Sequence, residues 1–259
     1  MESFLRRISI TQVNKRLALG AGIIFWLLVW QIAAMAVGHD ILLVSPVKVV
    51  LRLFSLVREG EFWSSILFSA LRIAIGFLLA TLVGIILALL SAKALVVRII
   101  LKPLVETIKA TPVASIVIVV LIWISSRNLS VVISFMMVFP IMYTNILSGI
   151  DNTPKELLEM AFIFRLPFKK KLKAIYIPAV LPYFVSALNI SLGLAWKSGV
   201  AAEVIGIPSG SIGEKLYQAK IFFSTADVFA WTVTIICLSV LFEKFFSYLI
   251  KVLVRRCSR

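Results

Sequence analysis

The chain has 259 residues, of which 61% are hydrophobic and 15% are charged. A soluble domain of this length could not bury that much apolar surface, so the composition excludes a soluble globular fold. The formal net charge is +15, but the lysines and arginines lie between apolar segments, as in cytoplasmic loops of membrane proteins, and we expect no nucleic-acid partner. One histidine and two cysteines leave almost no material for a metal site.

Runs of about 20 apolar residues have the length needed to cross a lipid bilayer. Pro46 starts an amphipathic stretch that we interpret as a helix lying on the membrane surface. Proline removes a backbone donor, so Thr111-Pro112 should interrupt the third span. The pattern predicts an all-α, polytopic membrane protein with one domain, residues 1–259, and six transmembrane helices at about 17–37, 65–92, 103–124, 129–149, 179–200 and 228–250.

Basic residues are distributed unequally between the two sides of these spans. One side holds 17 lysines and arginines, in the N-terminal segment, residues 93–102, the loop at about 150–177 and the C-terminal tail. The other side holds 6. Because cytoplasmic loops are rich in Lys and Arg, we place both termini and the long loop in the cytoplasm.

The loop at about 150–177 is longer than a turn between two spans requires. It combines a basic run at 169–173 with apolar residues that would supply the anchors of a docking helix, among them Leu157, Leu158, Ala161, Phe162 and Phe164. From the residues alone two interpretations stay open: a helix that docks in a partner's groove, or an amphipathic helix that covers the inner leaflet. The lysines could meet acidic groups of a partner or anionic lipid head groups.

This loop resembles the cytoplasmic loop of permease subunits of bacterial ATP-binding-cassette (ABC) importers, the binding-protein-dependent transport inner-membrane component family. That loop carries Glu-Ala-Ala, a Gly four residues later and a closing hydrophobic-x-hydrophobic-Pro. Met160 replaces the first Ala, and Arg165 replaces the Gly, which usually marks a position needing positive φ. The residues in register are Glu159, Ala161, Ile175, Ile177 and Pro178.

The resemblance extends over roughly residues 40 to 250 and leans toward the sulfonate, nitrate and taurine type, on the stretches 71–77, 109–114 and 195–206. It implies the type I importer fold, a second permease copy, usually in a homodimer, two ATPase subunits that bind Mg-ATP, and an extracytoplasmic solute-binding protein. It also implies a bacterial cell membrane and a small anionic nutrient, such as a sulfonate or nitrate. The residues expected to couple to the ATPase are Glu159, Ala161, Arg165, Leu166, Pro167 and Pro178.

The chain itself is expected to hold no cofactor and to be no enzyme. It contains no G-x-x-x-x-G-K-[ST] phosphate loop and no Ser/His/Asp constellation. ATP hydrolysis would therefore belong to another polypeptide.

Ionisable residues within the predicted spans are candidates for the translocation path. Arg72 either extends to the membrane interface or lines a cavity. Lys197 either meets an anionic solute or pairs with Glu203 or Asp227. We assign Arg72, Lys197 and Glu203 to the candidate path.

The residues leave other functions open beside the importer permease. An ion-coupled secondary transporter would need carboxylates in mid-membrane and inverted repeats, and the sequence shows neither. A structural or assembly protein without transport is another alternative. A permease of the same family could also carry a non-anionic nutrient, such as a vitamin precursor.

Overall fold

The computed structural model describes the backbone of residues 12–257, and every regular element in this part of the chain is helical. A π-helical turn at Leu172–Tyr176 lies within α8, and a short 3-10 turn, Ser126–Asn128, precedes α6. The helices are α1 Gln12–Val37, α2 Pro46–Leu56, α3 Gly60–Lys93, α4 Leu95–Ala110, α5 Val113–Leu121, α6 Leu129–Asp151, α7 Lys155–Ile163, α8 Phe168–Gly206, α9 Ile212–Ile221 and α10 Thr225–Cys257.

Five of these helices, α1, α3, α6, α8 and α10, are long and apolar enough to cross a membrane. The pair formed by α4 and α5 meets the same criterion as a sixth, broken crossing with a bend of 106°. The predicted all-α, polytopic architecture is therefore confirmed.

The structure of the third span differs from the prediction. Instead of one kinked helix over about 103–124, the chain forms α4 and α5, because Thr111 and Pro112 adopt ψ angles of 129° and 136° and end the first helix. Pro103 does not open a helix but lies inside α4. Several helices also extend beyond the apolar segments that predicted them, since packing can continue a helix past the membrane boundary.

Helices α3 and α6 run side by side in the same direction with their backbones in contact. A Cβ atom at Gly76 would lie only 2.4 Å from the carbonyl oxygen of Val131, and Gly84 faces Met142 further along. Small residues permit this approach. Because Gly76 lies beside Val131, Leu129, the first residue of α6, lies level with residue 74 of α3. The first part of α3 therefore extends about 20 Å beyond the start of α6.

The core lies between α3, α6, α8 and α10. The indole of Trp196 in α8 packs 5.6 Å from the ring of Phe242 in α10, and its N–H donates to the carbonyl oxygen of Ile235 at 3.1 Å. Phe77 of α3 meets Phe246 of α10 edge to face at 5.3 Å. These aromatic contacts fix α10 against both α3 and α8.

Beyond the level of Leu129 the chain forms an end cap, which consists of α2, the first turns of α3, α9 and the start of α10. The Ser45 hydroxyl caps α2, and Phe62 of α3 contacts Trp231 of α10 with ring centroids 5.0 Å apart. Val49 and Leu56 of α2 are buried, while a second apolar face that includes Leu51 and Phe54 is exposed, which fits a helix on a membrane surface. The opposite end of the bundle carries α7, which follows the last residue of α6.

Candidate functional site

The α7 segment, residues 155–171, forms the surface at the end of the bundle opposite the end cap. Pro154 precedes α7 and separates it from α6, because proline cannot continue the preceding hydrogen-bond pattern. Glu156 lies in the first turn, where its negative charge interacts favourably with the helix dipole. The segment is thus a short separate helix, as its apolar spacing predicts.

A left-handed residue ends α7. Arg165 has φ 46°, its N–H donates to the carbonyl oxygen of Phe162 at 3.0 Å, and the N–H of Leu166 donates to that of Ala161 at 3.0 Å. These two bonds form a Schellman motif, which usually has glycine at the left-handed position. The turn expected from the family motif therefore forms although Arg165 occupies the glycine position.

The predicted coupling residues lie in different environments. Ala161 is only 2% exposed, so its own chain covers it. In this conformation Ala161 therefore offers almost no surface to a partner, contrary to its expected place in the coupling contact. Among the other predicted coupling residues Leu166 is half-buried, and the exposed ones are Glu159, Arg165, Pro167 and Pro178.

Large apolar side chains are exposed on the same segment. Phe162 is 82% exposed and Phe164 70%, and Met160 and Ile163 are exposed beside them. Exposed apolar patches with a charged rim mark interaction sites, and aromatic side chains dominate binding energy in such sites. The sequence predicted Phe162 and Phe164, but Met160 and Ile163 were missed although they lie three residues apart on the helix.

Arg72 of α3 binds the backbone of the turn between α5 and α6. Its Nε donates to the carbonyl oxygen of Arg127 at 2.7 Å, and its guanidinium carbon lies 3.6 Å from the centroid of the Phe68 ring. The side chain is half-buried. Arg72 thus connects α3 to the turn between α5 and α6 through a backbone hydrogen bond and a cation–π contact.

The structure separates Lys197 from the carboxylates proposed as its partners. Lys197 is exposed and forms no salt bridge within the described part of the chain, whereas Glu203 is fully buried and Asp227 bonds to Arg52. The ion-pair interpretation of Lys197 is therefore not what the structure shows. Glu203 is likewise no exposed residue of a path in this conformation.

Glu203 lies where α3, α8 and the beginning of α9 meet. Its Oε2 accepts a hydrogen bond from the Ser69 hydroxyl at 2.6 Å and faces the N–H of Gly213 at 3.5 Å. The same hydroxyl accepts from the N–H of Ile212 at 3.0 Å. A carboxylate and a hydroxyl thus satisfy the first N–H groups of α9, which have no partner inside their own helix. Sequence reasoning missed Ser69, because a lone serine in an apolar span carries no distinctive signal.

Ion pairs hold the rest of the end cap together. The guanidinium of Arg52 in α2 donates to Asp227 of α10 and lies 3.6 Å from Glu59. The hydrogen bond with Asp227 raises the pKa of Arg52 above its ordinary value. Lys215 of α9 donates to Glu61 at the start of α3 at 2.6 Å. Each pair joins two different elements of the cap.

Residues 80–259 match the family described as binding-protein-dependent transport system inner membrane component. The chain belongs to this family. It is a multi-span membrane permease of the ABC importer type, as the loop motif predicts, and an ion-coupled secondary transporter is not favoured.

Relatives with named solutes cover most of the chain. SsuC of Bacillus subtilis (strain 168), described as an aliphatic sulfonates transport permease, is 28% identical over 205 residues, which cover 78% of this chain and 74% of the relative. The nitrate import permease NrtB of Synechococcus elongatus is 28% identical over 206 residues, covering 75% and 73%. The bicarbonate transport permease CmpB of the same species is 26% identical over 193 residues, covering 74% and 69%.

A solved amino acid ABC transporter, whose crystal structure was determined with histidines, shares the fold. It superposes with a TM-score of 0.59 at 17% sequence identity, covering 80% of this chain and 96% of that one. At this identity the likeness concerns the fold alone.

Proposed function

We propose that two copies of this chain form the translocation path for a small oxyanion in a bacterial cell membrane. Separate ATPase subunits that bind Mg-ATP drive it, and an extracytoplasmic solute-binding protein delivers the solute. The named relatives support the solute class, since sulfonates, nitrate and bicarbonate are all small anions whose charge lies on oxygen atoms. Lys197, exposed and without a salt bridge in the described residues, is the cation proposed to meet the solute.

The observation that carries the coupling role is the exposed aromatic pair Phe162 and Phe164, next to the buried Ala161. A patch of this kind docks into an apolar groove of a partner and stays attached to its own bundle. From the end of the α7 turn, α8 continues as one helix from Phe168 to Gly206. Movement of the ATPase subunits would thus displace α7 and reach the other end of the bundle through α8.

The orientation follows from the basic residues. The α7 segment is placed in the cytoplasm, where ATP is, with both chain termini, and the end cap faces the outside. Single cysteines at Ser126 and Ser209, in a chain without Cys237 and Cys257, should react with a membrane-impermeant maleimide in intact cells, and one at Lys170 should not. The reverse labelling pattern would show that the α7 segment lies on the side of the membrane opposite the ATPase, and it would contradict the proposal.

Transport itself is measured in proteoliposomes that contain the permease, its ATPase subunits and the solute-binding protein. Uptake of labelled sulfonate, nitrate or bicarbonate should require ATP inside the compartment that the α7 segment faces. The control omits the solute-binding protein. The proposed solute class would be contradicted if the proteoliposomes take up a neutral nutrient in an ATP-dependent manner but none of these anions.

A further inference from the structure

The junction between Glu203 and α9 is a backbone-to-backbone contact. A Cβ atom at Gly213 would lie 2.4 Å from both the Cβ and the carbonyl carbon of Glu203. With the hydrogen bonds to Ser69, this contact fixes the first turn of α9 to two other helices. The helix therefore cannot tilt at this end unless the Glu203 contacts break.

The capping of α9 accounts for only one oxygen of the Glu203 carboxyl group. Glu203 is 0% exposed, its Oε1 has no hydrogen-bond partner at normal distance in the described part of the chain, and the Ser130 hydroxyl, likewise without one, lies nearby. Buried polar atoms without partners are rare in proteins, so the second carboxyl oxygen at this place calls for an explanation beyond the capping of α9.

Glu203 also lies at a mechanical junction. In one direction α8 runs without a break from Phe168, within the α7 segment, to Glu203, a distance of about 50 Å along the helix axis. In the other direction α9 leads through Lys215, paired with Glu61, to the exposed side chains of Phe222 and Phe223. Glu203 connects the long helix to the end cap.

We propose that Glu203 is a positioning residue of the transport cycle. Its carboxyl group, with the hydroxyl of Ser69, ties the first turn of α9 to α8, so that a displacement that begins at the α7 segment moves the end cap. The proposal rests on the proposed function, because the displacement comes from the ATPase subunits.

The test follows amide hydrogen exchange in the assembled complex of permease and ATPase subunits, without nucleotide and with Mg-ATP plus vanadate. In the native chain the nucleotide should change the exchange rates of both the α7 segment and α9 by at least about threefold. In Glu203→Ala and in Ser69→Ala the response of α9 should disappear, while that of the α7 segment persists. Glu203→Gln keeps an acceptor oxygen, so α9 of this variant should retain at least half of the native response to the nucleotide.

The exposed carboxyl group of Glu243 on α10 offers a matched control, and Glu243→Gln should respond like the native chain. A purely structural role would predict faster exchange of α9 in both states with the nucleotide response unchanged, and that result would overturn the proposal. The same holds if α9 of the native complex does not respond while the α7 segment does. If the α7 segment itself shows no response, the proposed function fails instead. Ser69→Ala removes a single hydroxyl and keeps the test decisive if Glu203→Ala does not assemble.

Discussion

Neighbouring residues of α7 should respond in opposite ways to substitution. Phe162 is 82% exposed, so nearly its whole ring is available to a partner, whereas Ala161 is buried by its own chain. Burying a Phe side chain contributes about 1.5–3 kcal/mol, so Phe162→Ala should weaken ATPase binding by about 2 kcal/mol. That loss corresponds to about a 30-fold higher Kd.

Ala161→Trp acts on the permease itself. Overpacking of a buried position costs about 1–3 kcal/mol, which should destabilise the folded position of α7 even in the absence of a partner. Amide exchange of α7 in the free permease should then accelerate by about 5- to 150-fold, because local opening follows its free energy. Phe162→Ala should leave this exchange unchanged.

Both variants are measured in lipid nanodiscs, with the Kd taken from titration of the ATPase and the exchange from mass spectrometry. Leu42→Ala serves as a matched control, since Leu42 is a similarly exposed apolar residue at the opposite end of the bundle. Its Kd for the ATPase should equal that of the native chain. If Ala161→Trp lowers ATPase affinity while exchange of α7 in the free permease stays normal, Ala161 contacts the partner and our assignment is wrong.

Substitutions at three further positions test other parts of the structure. Arg165→Gly should stabilise the turn after α7 by about 1 kcal/mol, because a left-handed residue with a side chain is strained, and amide exchange of Leu166 should slow about fivefold; faster exchange would contradict this. Lys197→Ala should lower anion uptake with the complex intact, and Lys197→Arg should retain part of it, whereas equal uptake in all three chains would remove Lys197 from the path. Asp227→Asn should lower the melting temperature by about 2–4 °C, since a partly exposed ion pair with Arg52 contributes about 1 kcal/mol, and an unchanged value would show that the pair contributes nothing.

The positions of the long helices could be predicted from the sequence, because the length of an apolar run must match the thickness of the bilayer. The site of the break in the third crossing was also predictable, since Pro112 acts on its own backbone. The 106° angle between α4 and α5 was not, because it depends on what packs against them. The loop motif indicated the α7 segment, and helical spacing indicated Phe162.

Which members of that segment are covered was decided only by the tertiary structure. Ala161 and Phe162 are adjacent and both apolar, and only the folded chain, which buries the first and exposes the second, distinguishes them. Glu203 shows the same limit over a longer distance. A carboxylate near the end of an apolar run predicts an exposed or ion-paired group, yet Ser69, 134 residues away in the chain, and the first turn of α9 enclose it. Such a site depends on three elements meeting in space, and no local pattern in any one of them encodes the meeting.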